Sequence, residues 1–232
     1  TNYALISNQS DISNNEDLIP GFLKTCTLGY DGKGQFVLKN KEEVSELEIE
    51  FDKEHILEKK VNLKQEISVV ITRFLNNDFV IYEPIENIHI NQILNRSIIP
   101  ADINKDIFEK AQQQAKLIAE KLDYVGTMCV EYFIDEKNNL LVNEIAPRVH
   151  NSGHLTINTH NVSQFENHIR AVCDLEKVEL KKVCNAEMIN IIGEEIKTYR
   201  EKSYSKNEFF FDYLKSEIKE KRKMGHLTIV KL

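Results

Sequence analysis

The feature that most constrains the fold is a pair of apolar segments joined by a tight turn and followed at once by a dense polar run. Thr127 to Ile134 and Leu140 to Ile145 are typical of strands, and Lys137-Asn138-Asn139 is typical of a hairpin turn. The run NEIAPRVHNSGHL at 143–155 then gathers an acid, a guanidinium, two imidazoles and an amide. Loops are polar but seldom so rich in reactive groups, so we interpret this run as part of a functional site.

The hairpin also brings two acids together. Counting back from the turn places Glu131 opposite or nearly opposite Glu144, where facing side chains lie roughly 4.5 to 5.5 Å apart and like charges are destabilising. Their neighbours Cys129, Phe133 and Val142 are apolar, which makes the repulsion harder to relieve. A divalent cation between the carboxylates would remove the conflict, and oxygen ligands favour Mg²⁺ over Zn²⁺. An exposed acidic face with both glutamates in water is the alternative.

The histidines of the same region lack the spacing of a zinc site. Pro147 and Gly153 interrupt the helix that would bring residues four apart, such as His150 and His154, onto one face, and His160 follows later. No cysteine lies nearby in the sequence to complete a zinc ligand set. We therefore expect these histidines to form hydrogen bonds or to position a substrate.

A second candidate site is the glycine-rich connection GYDGKGQ at 29–35. It does not match a P-loop, because Gln35 follows the last glycine and the next segment resembles a strand. Small residues still let backbone N–H groups approach a phosphate, Lys24 and Lys33 add positive charge, and a flexible hairpin can close as a lid over a nucleotide. A tight turn with no further role is the alternative.

The rest of the chain predicts a mixed α and β protein. Apolar residues at 107, 111, 115, 118 and 122 form one stripe, which predicts a helix over 104–123. A second helix is expected at Ser163 to Cys173, with Phe165, Ile169 and Val172 on one side, whereas the stretch before Pro20 has only a weak helical or loop pattern. A short helix is expected at 41–47, and further extended segments at 22–25, 35–38, 55–61, 66–74 and 79–82.

Composition limits the classes of function. Apolar residues make up 41% and charged residues 29% of the chain, as in soluble globular proteins, and the net charge of -7 argues against a nucleic acid as the main partner. No apolar run approaches the roughly 18 to 20 residues that span a bilayer, and no signal-peptide pattern is present, so we expect a cytoplasmic location and no membrane partner. The four widely spaced cysteines are expected to be reduced, mostly structural thiols.

The glycine hairpin after Lys24, the two-glutamate hairpin, NEIAPRVHNSGH and RKMGHL at 222–227 occur together in this order. They resemble the ATP-grasp superfamily, and within it the family of 5-(carboxyamino)imidazole ribonucleotide synthases of purine biosynthesis, from about Phe22 to Leu227. The resemblance implies an α+β ATP-grasp fold with a nucleotide cleft between two lobes that contain antiparallel sheets. Its implied segments are a small lid lobe at 1–60, a large lobe with the metal site at 61–176, and an incomplete β-rich segment at 177–232.

The resemblance also implies the cofactors ATP and Mg²⁺ and a role for each site residue. The loop over the ATP phosphates comprises Lys24, Gly29, Tyr30, Asp31, Gly32, Lys33, Gly34 and Gln35. The adenine hinge, the ribose acceptor and an additional nucleotide-site histidine are Glu58, Lys59, Lys60 and Val61, then Glu66, then His89. Mg²⁺ is assigned to Glu131 and Glu144 with Asn143 beside them, and the ribonucleotide to Tyr30, Asp31, Arg148, His150 and Asn151, with its phosphate on Lys215 and Arg222. The residues implied in catalysis are Arg148, Lys33 and Asp31.

The implied reaction is ATP-dependent carboxylation of aminoimidazole ribonucleotide by bicarbonate through carboxyphosphate, in a protein that pairs as a homodimer. Two departures stand against this. The family's first domain is absent from the sequence, so we expect a part of a longer protein, and Leu28 replaces the first glycine of the usual pair before Tyr30. Two alternatives therefore stay open: another ATP-grasp carboxylate–amine ligase, or a nucleotide-binding fragment that is inactive without the first domain.

Overall fold

The computed structural model describes residues 1–26, 34–46 and 53–231. Within these residues the chain forms two compact units, Thr1–Asn62 and Leu63–Leu232. The three segments expected from the sequence stay a prediction. None of the helices in the described part of the chain has the length and apolar character needed to cross a bilayer.

Unit 1, residues 1–62, is built on a four-stranded antiparallel sheet. Its strands are β1 (Tyr3–Ile6), β2 (Gly21–Thr25), β3 (Gln35–Leu38) and β4 (His55–Lys59), in the order β1-β4-β2-β3, and its helices are α1 (Gln9–Asn14) and α2 (Glu43–Glu46). Lys24 pairs with Gln35, which confirms the hairpin predicted around the glycine-rich connection. The strand predicted at 55–61 is present over His55–Lys59. The short helix predicted at 41–47 is present over Glu43–Glu46, and residue 47 lies outside the described residues.

The stretch before Pro20, where the sequence shows a weak helical or loop pattern, contains the short helix α1 and also the strand β1, which was not expected. Helix α1 begins with a capping box, in which Asn8 Oδ1 accepts from the Asp11 amide at 3.1 Å and an Asp11 carboxylate oxygen accepts from the Asn8 amide at 3.2 Å. The apolar periodicity was too short to show this helix, since Ile12 is its one buried residue. Strand β1 leaves Tyr3 and Leu5 largely exposed, so its apolar alternation is also incomplete.

Unit 2, residues 63–232, is built on a larger antiparallel sheet in the order β10-β9-β5-β7-β8-β11-β13-β12, with β6 paired to β5. Its strands are β5 (Leu63–Arg73), β6 (Phe79–Ile81), β7 (Ile85–Ile90), β8 (Ile93–Ile99), β9 (Gly126–Asp135), β10 (Leu140–Ala146), β11 (Asn185–Ile192), β12 (Glu208–Asp212) and β13 (Lys223–Lys231). Its helices are α3 (Lys105–Lys121), α4 (Thr156–Thr159), α5 (Gln164–Val172) and α6 (Glu195–Glu201), and a 3₁₀ turn covers Asn151–Leu155.

The central strands of unit 2 are covered on both faces. Val69 and Ile71 of β5 pack with Ala111 and Ala115 of α3, whereas Val70 belongs to a second apolar cluster on the opposite face. Successive side chains of a strand point to opposite faces, so a strand buried on both sides is a continuous apolar run. This explains why residues 67–71 carry no polar alternation apart from Ser68.

Helix α3 follows the prediction over most of its length. Asn104 Oδ1 caps it by accepting from the Ile107 amide at 2.9 Å, and Ile107, Ala111 and Ala115 are buried as the apolar stripe predicts. At its end the stripe fails, because Leu122 is 55% exposed.

Helix α5 is present where predicted, but its apolar side faces outward. Phe165 and Ile169 are substantially exposed, whereas Gln164 and Asn167 are fully buried. The Gln164 amide is hydrogen-bonded at both its oxygen and its nitrogen, and Asn167 Nδ2 donates to the Tyr82 hydroxyl at 2.8 Å. Satisfied buried polar groups therefore outweigh apolar periodicity in orienting this helix.

All four cysteines are free, as predicted, but Cys26 and Cys173 are exposed, so a structural role in a core does not apply to these two.

The packing of β5 makes a testable prediction for stability. Ile71→Ala should lower the free energy of unfolding of unit 2 by about 2 to 5 kcal/mol, because it leaves a cavity between the sheet and α3. Leu117→Ala, on the exposed side of α3, is the matched control and should cost less than about 1 kcal/mol. Urea unfolding of both variants measures the difference, and equal losses would contradict the assignment of the core.

Candidate functional site

Glu131 and Glu144 lie in register on β9 and β10, which confirms their expected opposition. A bulge at Asn143 sets this pairing, since the register shifts by one residue between Val142 and Glu144. Without the extra residue Glu144 would pair with Val130 and point to the other face of the sheet. The bulge therefore puts both carboxylates on one face, where Glu131 is buried and Glu144 is exposed.

The loop after β10 returns a histidine to this pair. His150 Nε2 lies 2.9 Å from Glu131 Oε1, and both side chains are close to nine-tenths buried. Burial raises the pKa of Glu131, but the hydrogen bond and charge of His150 outweigh it and leave that pKa below its usual value. Burial lowers the pKa of His150, and the Cys129 sulfur and the Glu131 carboxylate outweigh it, so the imidazole pKa is raised.

A chain of buried side chains continues from His150 across the sheet. His150 Nδ1 lies 2.9 Å from Ser152 Oγ, which lies 2.8 Å from Ser68 Oγ on β5. Asn87 Nδ2 on β7 donates to Ser68 Oγ at 2.9 Å, and Ser97 Oγ on β8 donates to Asn87 Oδ1 at 2.9 Å. We call these residues the polar ladder: His150, Ser152, Ser68, Asn87 and Ser97. The ladder fixes the histidine ring against three strands.

The backbone of the loop is held as firmly as its side chains. The His150 amide donates to Gln164 Oε1 at 3.0 Å, and Gln164 Nε2 donates to the His150 carbonyl at 2.7 Å. Gly153 is required here, because a Cβ at this position would lie 2.5 Å from Gln164 Oε1. Helix α5 thus buries Gln164 in order to hold the loop that carries His150.

Beyond the ladder lies a second group of polar and aromatic side chains. Asn190 Nδ2 donates to Asn151 Oδ1 at 2.5 Å, and the Tyr213 hydroxyl lies 2.9 Å from His226 Nδ1. The ring of His154 is 5.4 Å from that of His226. Burial lowers the pKa of His226 to about 4, and burial together with nearby positive groups lowers that of His154 to about 3, so both rings are neutral at pH 7.

Two residues expected in the nucleotide site contact each other in unit 2. His89 Nδ1 lies 2.8 Å from Glu66 Oε2, and both side chains are largely buried. Burial lowers the pKa of His89, but the hydrogen bond and charge of Glu66 outweigh it and raise the pKa. Glu66 and Glu131 share a face, because β5 pairs Ser68 with Glu131 and side chains two apart on a strand point the same way.

In unit 1, Lys24 Nζ lies 2.7 Å from Glu58 Oε2, so two further predicted residues form an ion pair. The amides of Lys59 and Lys60 donate within the unit, to the carbonyls of Asn2 and Pro20, each at 2.9 Å. The remaining hinge residue Val61 follows β4.

Only part of the predicted lid lies within the described residues. Gly34 accepts from the Thr25 amide at 2.9 Å in a left-handed conformation, and Gln35 begins β3. The other predicted lid residues lie outside the described residues: Gly29, Tyr30, Asp31, Gly32 and Lys33.

The remaining predicted substrate residues are on unit 2. Arg148 is exposed, and its guanidinium donates to the Val149 carbonyl at 3.0 Å. Lys215 Nζ donates to the carbonyl of Lys223 at 2.6 Å. Lys223 directly follows Arg222 in the chain, so the Lys215 ammonium lies near the backbone of Arg222. The two cations assigned to a phosphate are therefore in one region of the unit.

Sequence reasoning missed the polar ladder and Cys129 as a neighbour of His150. Their signal was a polar residue at every second position of an apolar strand, as at Glu66 and Ser68, or Asn87 and His89. This alternation shows a polar face, but the pairing of distant strands decides which of these residues meet.

The antiparallel sheets and the opposed carboxylates are those expected of an ATP-grasp protein, and the ATP-grasp domain family matches residues 1–165. The chain therefore belongs to the ATP-grasp family. A second family, described as the phosphoribosylaminoimidazole carboxylase C-terminal domain, matches residues 186–232.

Within this family the chain is similar to N5-carboxyaminoimidazole ribonucleotide synthases. The protein of that name from Bacillus subtilis (strain 168) is 41% identical over 235 residues, covering 99% of this chain and 61% of the relative. The Staphylococcus aureus (strain MRSA252) protein is 40% identical over 91% of this chain and 57% of its own length. The chain thus spans about three-fifths of the curated relatives it matches.

Solved structures agree with these relatives. The Staphylococcus aureus N5-carboxyaminoimidazole synthetase complexed with ADP has a TM-score of 0.89 and 36% identity, covering 99% of this chain and 62% of that one. The Aspergillus clavatus synthase in complex with ADP and 5-aminoimidazole ribonucleotide has a TM-score of 0.88 and 27% identity, covering 99% and 63%.

The buried neutral histidines predict a dependence of stability on pH. The pKa of His226 is about 4 in the folded protein and 6.5 in the unfolded chain, so the unfolded chain binds a proton more readily than the folded protein does. Its contribution to stability is therefore complete above pH 6.5 and is lost as the pH falls towards 4, by up to about 1.4 kcal/mol per pH unit. His226→Gln should reduce the acid-side slope of unfolding free energy by this amount, measured by urea unfolding between pH 7 and 4.5. An unchanged slope would contradict a neutral buried His226.

Proposed function

We propose that the chain is part of an ATP-dependent carbon–nitrogen ligase that carboxylates 5-aminoimidazole ribonucleotide with bicarbonate in purine biosynthesis. The observation that carries this proposal is the placement of Glu131 opposite Glu144 in a chain that belongs to the ATP-grasp family. Relatives named as synthases of the carboxylated product, and a similar structure in complex with ADP and the aminoimidazole ribonucleotide, support the choice of substrate.

The reaction consists of two transfers. A bicarbonate oxygen attacks the γ-phosphorus of ATP, and the bond to the β-phosphate oxygen breaks to release ADP and form carboxyphosphate. The amine of the ribonucleotide then attacks the carboxyl carbon, the carbon–oxygen bond to phosphate breaks, and the amine loses a proton. The products are the carboxyamino ribonucleotide, phosphate and ADP.

The donor set on β9 and β10 fits a hard divalent cation, since two carboxylates share one face beside the Asn143 bulge. In this proposal Glu131 and Glu144 hold Mg²⁺, which would neutralise charge on the transferring phosphoryl group. His150 holds one oxygen of Glu131, so the carboxylate is oriented before the cation binds.

The other residues act by binding and orienting. Glu66, held by His89, accepts from the ribose hydroxyls, and Lys24 approaches the phosphates from β2. Arg148 offers a planar fork of donors that suits bicarbonate, while Asn151 faces the ribonucleotide. Lys215 and Arg222 bind the ribonucleotide phosphate. The lid residues Tyr30, Asp31 and Lys33 complete the assignment, as the resemblance implies. The homodimer and the cytoplasmic location stay predictions.

Phosphate release tests the reaction. Turnover of ATP by the chain should rise when both 5-aminoimidazole ribonucleotide and bicarbonate are present, because bicarbonate accepts the γ-phosphoryl group and the ribonucleotide amine consumes the carboxyphosphate that forms. Stimulation by a different amine would contradict the substrate assignment and favour another ligase of the family. Nucleotide binding without turnover would contradict activity of this chain by itself and favour a fragment that is inactive without the family's first domain.

Replacing one carboxylate by a carboxamide tests the proposed Mg²⁺ site of Glu131 and Glu144. Glu144→Gln should reduce Mg²⁺-dependent phosphate release by about 100-fold or more, because it removes one of two anionic ligands while the exposed position tolerates the change. Glu136→Gln, an exposed glutamate in the turn of the same hairpin, is the matched control and should retain activity. Equal activity of both variants would remove Glu144 from the metal site.

A further inference from the structure

Cys129, Glu131 and His150 form a compact set of metal-ligating groups. One ligand atom from each residue lies within 4.8 Å of the others. Cys129 and Glu131 are two apart on β9 and so share a face, and His150 Nε2 lies 2.9 Å from Glu131 Oε1. The spacing is close to what a metal needs, because ligands bonded at about 2.0 to 2.3 Å in a tetrahedron lie roughly 3.3 to 3.7 Å apart.

The surroundings of the set orient it as a metal site requires. A ligating histidine is normally fixed by a hydrogen bond at its second ring nitrogen. Here His150 Nδ1 lies 2.9 Å from Ser152 Oγ, which lies 2.8 Å from Ser68 Oγ and 3.9 Å from Cys129 Sγ. The polar ladder therefore supplies the outer support for the histidine and places a hydroxyl beside the thiol.

We propose that Cys129, Glu131 and His150 form a site for a thiophilic divalent cation, with Zn²⁺ as the fitting biological ion. A thiolate, an imidazole and a carboxylate are all zinc ligands, and three protein ligands leave a fourth position for water. Mg²⁺ is a poor fit for this combination of thiolate, imidazole and carboxylate, because it prefers oxygen ligands alone.

The proposed site shares Glu131 with the proposed Mg²⁺ pair. Zn²⁺ bound to Cys129 and His150 would compete for the Glu131 carboxylate, so we expect zinc to weaken Mg²⁺ binding and slow phosphoryl transfer. This consequence rests on the proposed function, whereas zinc binding itself does not.

The sequence argued against zinc because it showed no cysteine near the histidines. The fold supplies one from β9, since Cys129 pairs with Ala146 at the end of β10 and the loop that carries His150 follows at once. His154 and His160 are not part of this set, so the earlier reason against a helical histidine pair still holds.

Cobalt titration tests the site without any nucleotide. Co²⁺ coordinated by a thiolate gives a charge-transfer band in the near ultraviolet, and tetrahedral Co²⁺ gives intense visible bands. The titration uses the chain with Cys26→Ser and Cys173→Ser, which removes the two exposed thiols. Both signals should appear and saturate at one Co²⁺ per chain, and Zn²⁺ should abolish them by displacement.

Two further variants locate the thiol. Adding Cys129→Ser should abolish the charge-transfer band, whereas adding Cys184→Ser, the other cysteine in this background, should leave it intact. His150→Gln should weaken Co²⁺ binding by about tenfold or more. If circular dichroism shows that Cys129→Ser does not fold, the His150→Gln variant is the test of the site. The proposal is overturned if no charge-transfer band forms, or if the band survives Cys129→Ser, or if His150→Gln binds Co²⁺ unchanged. Because no step uses ATP, failure of the ligase assay would leave this result independent.

Discussion

The opposition of Glu131 and Glu144 across β9 and β10 is the constraint on which the site depends. Two like charges on one face of a sheet are unfavourable unless a positive group lies close to them. The bulge at Asn143 is what creates this opposition, because it turns Glu144 onto the face of Glu131. In the structure the imidazole of His150 lies against Glu131, and in the proposed reaction a hard cation joins the two carboxylates.

The strands of unit 2 hold this arrangement through a polar layer on one face of the sheet. Ser68, Asn87 and Ser97 are fully or almost fully buried on three neighbouring strands, and each is hydrogen-bonded to the next. Buried polar groups are costly unless satisfied, so a satisfied chain favours one arrangement of the loop over others. Gln164 completes this effect from α5 by bonding both backbone groups of His150. The rigidity of the site thus comes from the sheet and one helix, while the loop supplies its reactive groups.

Local patterns predicted the parts of the molecule that depend on neighbouring residues. The turn at 137–139 predicted a register that places Glu144 within one residue of Glu131, the bulge at Asn143 supplies the remaining offset, and the apolar stripe located α3. Non-local pairing could not be predicted in this way. The outward apolar side of α5 and the approach of Cys129 to His150 both depend on partners that are distant in sequence. The ligand roles came from the family resemblance, since no local pattern distinguishes a ribose acceptor from any other half-buried glutamate.

The most direct test of the central claim is the position of the metal. Mn²⁺ replaces Mg²⁺ at oxygen sites and can be located by anomalous X-ray scattering in crystals of the protein grown with ADP. We expect an anomalous peak between the carboxylates of Glu131 and Glu144, within bonding distance of an oxygen from each. Bound ADP with the Mn²⁺ peak away from both carboxylates would contradict the central claim.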